Sequence, residues 1–221
     1  MPRLDLDAIV VAGLAIASRP GTHSVTVREL GTELGADPTA IYRHVRNKDG
    51  LIRVLLDRIV GIAASRVTAT PSDWREFLRQ SAEQSLAVYV EYPAIGSEAV
   101  RLSSDGVHEL RVIDNALAAF GHAGLDEPGR VRFYGMWSVH VVSFCAGLAR
   151  ERLDSGYGPE PRPWLDRSID TAPGEYPEVD RTRDTLRALT DVGAFRDGLE
   201  VILDAAARAA RELAQASRRP Q

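Results

Sequence analysis

Apolar residues recur at three- and four-residue intervals along nearly all of this 221-residue chain, and no stretch alternates apolar with polar residues between hairpin turns. A period of about 3.6 gathers such residues on one face of a helix, whereas a half-buried strand needs a period of two, so the pattern restricts the chain to an all-α fold. Local signals then cut the pattern into helices. Asp5 stands at the N-cap of the first, Leu4 and Ile9 occupy the two positions of a hydrophobic staple, and Leu6, Ile9, Val10, Gly13, Leu14 and Ala17 share its apolar face. Arg19-Pro20-Gly21 ends it. Thr26 and Glu29 make a capping box for a second helix with Val27, Leu30, Gly31 and Leu34 inward, and Gly35 turns the chain. Asp37 and Pro38 supply an N-cap and a first-turn proline for a third, short helix reaching about His44. Asn47 caps a long fourth helix through Leu51, Val54, Leu55, Arg58, Ile59 and Ile62.

The fourth helix joins a small head, residues 1–48, to a larger helical domain, residues 49–221. In that domain Ser72 or Asp73 caps a long helix that ends at Tyr92-Pro93, because the residue before proline avoids the α region. Shorter helices are predicted over roughly 94–103 and 106–120, closed by Gly121 and Gly124, and then one long helix from Asp126 to Leu153. The Gly- and Pro-rich stretch from Asp154 to Pro177 reads as a loop, and Thr182–Asp191 and Phe195–Ala216 as the last two helices.

With 44% hydrophobic and 26% charged residues the chain has material for one or two ordinary cores. Its one cysteine, Cys145, excludes an intramolecular disulfide and a cysteine-based zinc cluster. No basic start with an apolar run follows Met1, and no run of about 18 uncharged apolar residues occurs, so a cytoplasmic protein with no membrane partner is expected. A formal net charge of −4 gives no bulk support for a nucleic-acid partner, so any DNA contact must come from a local patch. No nucleophile elbow, phosphate-binding loop, dinucleotide fingerprint or zinc-protease helix is present, and no cofactor is expected.

Two short capped helices joined by Gly35-Ala36-Asp37 behind a supporting first helix have the pattern of a helix-turn-helix. At about 100° per residue Ile41 and Val45 of the third helix point inward, Thr39, Arg43 and Arg46 point away, and Tyr42 and His44 take opposite flanks. Groups on the exposed centre are placed to reach base edges, and a phenol and an imidazole on the flanks to reach phosphates of the bordering strands. Lys48, the one lysine among 27 basic residues, sits in the first turn of the fourth helix, where a cation opposes the helix dipole. A DNA phosphate at that helix start would offset the cost; alternatively Asp49 offsets it and Lys48 is only solvated. Against this reading stands the balance of charge over residues 1–50, six basic residues (Arg3, Arg19, Arg28, Arg43, Arg46, Lys48) and six acidic ones (Asp5, Asp7, Glu29, Glu33, Asp37, Asp49), with Arg3 the whole of the basic arm.

The run from Leu30 to Lys48, LGTELGADPTAIYRHVRNK, with its Tyr42, His44 and Lys48 spaced Tyr-x-His-x-x-x-Lys behind a capped helix and a glycine turn, resembles the signature of the TetR family. The resemblance is close over residues 4 to about 60 and extends beyond only in helix count and length. It implies a DNA-binding regulator in which Tyr42, His44 and Lys48 touch phosphates while Arg28, Thr39 and Arg43 lie where bases are read. It further implies a body that dimerises through two helices of each subunit, a palindromic double-stranded operator and a small-molecule effector.

In the body, the helix from Asp126 to Leu153 is apolar nearly all round. One stripe carries Phe133, Trp137, His140, Phe144 and Leu148; another carries Gly135, Ser138, Val142, Ala146 and Ala149, small enough for a partner helix to approach. Phe195, Leu199, Ile202, Ala206, Ala209 and Leu213 form a seam on the last helix, and with the small stripe they suit a four-helix homodimer interface; the alternative is that both serve only the intramolecular core. Tyr89, Tyr92, Trp137, His140 and Phe144 combine apolar bulk with polar tips and are the candidate walls of a pocket for an apolar or aromatic ligand, with ordinary core packing as the other reading. The leading expectation is a repressor released from its operator by such a ligand; the rivals are a helical enzyme and a regulator switched by a protein partner.

Overall fold

The computed structural model describes residues 4–155, 172 and 174–217, and the described residues are helical with no β-strand. In chain order the helices are α1 (Leu6–Ala17), α2 (Val27–Leu34), α3 (Pro38–Val45), α4 (Lys48–Ser65), α5 (Trp74–Glu91), α6 (Pro93–Gly96) continued by a 3₁₀ turn (Ser97–Val100), α7 (Val107–His122), α8 (Glu127–Ser155), α9 (Pro177–Ala188) and α10 (Asp191–Ala216).

The head follows its local signals closely. Asp5 accepts from the Ala8 amide, Thr26 and Glu29 complete their capping box, Gly35 closes α2 in the left-handed conformation that costs glycine nothing, and Asp37 and Asn47 accept from the amides of Thr39 and Gly50. On α1 Ile9, Val10, Gly13 and Ala17 are buried, while Leu6 stays largely exposed. Leu30, Ile41, Leu51 and Leu55 are fully buried beneath them, each contributing about 1.5–3 kcal/mol relative to exposure.

The body is built around α8, which packs against α5, α6, the 3₁₀ turn, α7 and α10. α4 lies against α5 and α7 as well as α1 and α3, so one rod of backbone belongs to both head and body. Three boundaries differ from the sequence expectation. The helix expected over 94–103 is a single α-turn that tightens into 3₁₀, with no side-chain cap to start it. Pro177 at N1 starts α9 five residues before Thr182, and Thr190, whose hydroxyl accepts from the Gly193 amide, starts α10 at Asp191 rather than Phe195. The expected loop from Asp154 to Pro177 lies mostly outside the described residues.

The two helical stripes assigned to a dimer seam are shared between the subunit's own core and its surface: Gly135, Ser138 and Val142 of α8 and Ala209 and Leu213 of α10 are only half-buried. Ala146 and Ala149 of α8 and Phe195, Leu199, Ile202 and Ala206 of α10 are buried within one chain, because α10 lies directly along α8. The apolar residues left outward on these two helices are instead Val131, Met136 and Val139 on α8 and Val201 on α10, the last 68% exposed.

Candidate nucleic-acid interface and ligand cavity

The path from α3 to α4 is unusually tight. Arg46 sits at φ 58°, and the Asn47 amide donates to the Val45 carbonyl at 2.6 Å, a γ-turn centred on a residue that is not glycine. Such a backbone costs about 1–3 kcal/mol and persists only where its surroundings dictate it. Here α4 dictates it: a Cβ on Gly50 would lie 2.0 Å from the Val45 carbonyl oxygen, so only glycine lets the first turn of α4 close onto the end of α3. The consequence is that Lys48 of α4 follows closely on Tyr42 and His44 of α3, all three exposed on the head's outer surface.

In the head Ile41 and Val45 are buried while Arg28, Thr39, Tyr42, Arg43, His44, Arg46 and Lys48 are exposed. The balance of six against six charges does not hold at the surface, because all six acids are engaged within the fold. Asp5 and Asp37 cap helices, Glu29 closes the capping box, Asp7 pairs with Arg58, Glu33 with Arg19, and Asp49 with Arg101 of the body. Bonds from the Thr39 hydroxyl and amide hold the Asp37 carboxyl below the usual carboxylate range, and the Arg101 guanidinium does the same for Asp49. Asp49 is thereby bonded to Arg101, and Lys48 reaches it through charge alone. Arg28, Arg43, Arg46 and Lys48 make no ion pair with any described residue. A chain of net negative charge therefore leaves four exposed, unpaired cations in its head, with Lys48 at the start of α4, whose first amides lack intrahelical partners.

In the body a cavity with about 800 Å³ of atom-free space, part of it open to solvent, lies between α4, α5, α7 and α8. Val60 and Ala64 of α4 form one wall, and Phe77, Tyr89, Tyr134 and Trp137 give it an aromatic lining. Ser81, Ser85, Asn115 and Ser138 supply polar points, and Glu109 of α7 carries the one charge on the wall among the described residues. Trp137 is almost fully buried, and its Nε1–H has no acceptor among the described residues, an arrangement that costs about 1–3 kcal/mol until an acceptor arrives. Burial, with the charge of Glu109 adding, pushes the Tyr89 phenol well above its ordinary value and keeps it neutral.

Of the five pocket candidates, Tyr89 and Trp137 line this cavity and Tyr92, His140 and Phe144 do not. His140 Nε2 lies 2.9 Å from the Phe195 carbonyl oxygen, its ring stacks on Phe195 at 5.4 Å, and Phe144 closes the cluster 4.8 Å from His140. The early start of α10 brings Phe195 under His140, and the stripe becomes a clamp between α8 and α10. Tyr92 ends α5, where its neighbours are Glu91 and Arg66. Cys145 is fully buried, and burial drives its thiol far above the ordinary range, leaving an inert core group. Sequence reasoning missed Gly50 and Glu109. Gly50 carried a signal, a poor helix former in a first turn, whereas Glu109 reads like any polar residue of an amphipathic helix.

The chain matches two family profiles: "Bacterial regulatory proteins, tetR family" over residues 9–55 and "Tetracyclin repressor-like, C-terminal domain" over residues 68–208. The HTH-type transcriptional repressor DrrR1 of Streptomyces coeruleorubidus is 27% identical over 216 residues, covering 92% of this chain and 77% of that protein. The HTH-type transcriptional repressor Rv1353c of Mycobacterium tuberculosis is 28% identical over 218 residues, covering 90% of this chain and 79% of that protein. ActR of Streptomyces coelicolor, solved in complex with actinorhodin, shares the fold with a TM-score of 0.76 at 18% identity, over 94% of this chain and 99% of that one. No described helix is long and apolar enough to cross a membrane. With a helix-turn-helix head matched by one profile and more than half its length matched by the other, the chain belongs to the TetR family of DNA-binding transcriptional regulators.

Proposed function

We propose that this chain is a repressor that holds a palindromic operator as a homodimer and leaves it when a mainly apolar, aromatic small molecule enters the cavity between α4, α5, α7 and α8. One observation carries the reading: the helix that starts at the DNA-facing Lys48 is also the helix that walls the cavity with Val60 and Ala64. Twelve residues of α-helix separate Lys48 from Val60, about 18 Å, so a tilt of about 5° at the cavity moves the head by about 1.5 Å. In a dimer the displacement is applied to both heads and changes their spacing against half-sites about one helical turn apart. Relief of an operator by a factor of about 100 requires the effector to favour the tilted form by about 2.7 kcal/mol.

In this reading residues 1–48 read DNA and residues 49–221 bind effector and dimerise. Arg28, Thr39 and Arg43 face bases, Tyr42, His44 and Lys48 face phosphates, and Tyr89 and Trp137 form the effector's wall. Val131, Met136, Val139 and Val201 offer the outward apolar face for the second subunit. ActR, which shares the fold and was solved in complex with actinorhodin, supports a small-molecule effector.

Operator selection from random DNA with the purified protein tests the first half, and two symmetric protected half-sites are expected. A single asymmetric half-site protected by monomer at saturation would overturn it. For the second half, compounds that release the selected operator are titrated against Trp137→Phe, which keeps an aromatic ring and removes the N–H. Effector affinity is expected to fall while effector-free operator affinity stays within about twofold, since the lost hydrogen bond lies in the body.

A further inference from the structure

The cavity just described is an aromatic box with a single carboxylate. Phe77, Tyr89, Tyr134 and Trp137 line one space, and among the described residues no arginine, lysine or histidine lines it. Glu109 forms no ion pair with any described residue; its partners are neutral donors, the hydroxyls of Ser103 and Ser104 at 2.9 and 2.6 Å and the Asp105 amide at 2.8 Å. A carboxylate without a counter-cation among the described residues, sharing its cavity with four aromatic rings, favours a positive ligand and opposes a negative one, since both the charge and the ring quadrupoles attract a cation.

Glu109 also stands where the cavity meets a second, more open one. The two share Val60, Tyr89, Glu109 and Val142, and the second is bounded by the segment Ala99–Ser104. That segment and the residues after it hold α4. Arg101 grips Asp49 through two hydrogen bonds of 2.9 and 3.2 Å, and Arg53 donates to the Ser103 carbonyl and the Asp105 carboxylate. Asp57 of α4 accepts from the His108 and Glu109 amides, capping α7 from a neighbouring helix. Glu109 thus has one hand on the cavity and the other on the loop that fixes the helix carrying the head.

We propose that the effector is a cationic aromatic amine, that Glu109 is the group that recognises its charge, and that drawing the carboxylate toward the amine loosens the Ser103–Asp105 loop from α4. This rests on the cavity being the effector site. An ammonium brings a full opposite charge that the neutral donors of the loop lack, and in a partly desolvated cavity that attraction is stronger than in water. An acceptor elsewhere on the same molecule satisfies Trp137 Nε1.

Three probes of one shape separate charge from fit: 9-(aminomethyl)anthracene, 9-anthracenemethanol and 9-anthracenecarboxylate, titrated into the full chain by energy transfer from tryptophan. The ammonium is expected to bind at least about tenfold more tightly than the carboxylate, with the alcohol between them. In Glu109→Gln the three should fall within about threefold, with the alcohol unchanged. If the alcohol binds but the ammonium gains nothing over the carboxylate, the charge proposal is overturned and the effector cavity stands. If none of the three binds, both readings are overturned. Should E109Q not fold, the order of the probes on the native chain still decides. Hydrogen exchange reads the loop: the Asp105, His108 and Glu109 amides should exchange faster in the ammonium complex than in the alcohol complex, and equal rates would overturn the transmission through Glu109.

Discussion

The head and the body hold similar mixtures of charge and dispose of them in opposite ways. In the head the acids are engaged in caps and pairs, so that Arg28, Arg43, Arg46 and Lys48 are left over. In the body acids and bases engage one another across helices: Arg75 reaches Glu200 and Asp204, Arg79 reaches Glu200 and Glu76, and Arg196 reaches Glu83. A charge balance counted over a sequence therefore says little about binding. The useful count is of charges that the fold itself leaves unengaged, and that count is basic in the head.

The comparison breaks most severely at Gly50. A methyl group at this position meets the Val45 carbonyl, so Gly50→Ala must open the turn between α3 and α4 and separate Lys48 from Tyr42 and His44. Operator affinity is expected to fall by more than about 100-fold, equivalent to about 2.7 kcal/mol, while the body keeps its helical content and its dimer. A variant that binds DNA normally would show that the turn is not what assembles the face. Next in size is Arg43→Ala, expected to cost about 1–3 kcal/mol on the best operator and to relax preference at one base position. Equal loss on every sequence would reassign Arg43 to the phosphates. Lys48→Ala should do what Arg43→Ala should not: weaken all DNA alike and reduce the slope of log affinity against log salt by about one unit.

How much can be read from sequence depends on how far apart in the chain the cooperating residues lie. Asp5, Thr26 with Glu29, Asp37 and Asn47 act within three residues of themselves, and each is legible as a cap. The γ-turn at Arg46 arises from two helices meeting, which no local propensity reports. On α8 the period places Trp137, His140 and Phe144 on an inward face correctly, but inward toward what is decided by partners 55 or so residues away: His140 and Phe144 meet Phe195 of α10, while Trp137 meets the cavity. The seam on α10 is equally visible as a seam and equally silent about whether its other half belongs to the same chain.

The smallest effect sharpens the body's side of the comparison. Glu200 of α10 lies between two guanidiniums of α5, 2.7 Å from Arg79 and 2.6 Å from Arg75, and the hydrogen bond from Arg79, helped by Arg75, holds its carboxyl below the ordinary value of 4.5. A carboxyl whose value is depressed by folding stabilises the fold above its unfolded value, and the benefit disappears as pH falls through the depressed one. Glu200→Gln should therefore lower the melting temperature at neutral pH and converge with the native chain in acid. The side chain is 40% exposed, so solvent screening limits the difference to about 1 kcal/mol at most, or about 2–4 °C for a domain of this size. Operator affinity should be untouched, because the lost charge belongs to a closed set of ion pairs between α5 and α10. A changed salt slope for DNA in this variant, measured beside Lys48→Ala, would mean that the paired charges of the body reach the operator after all, and the division between engaged and unengaged charge would fail.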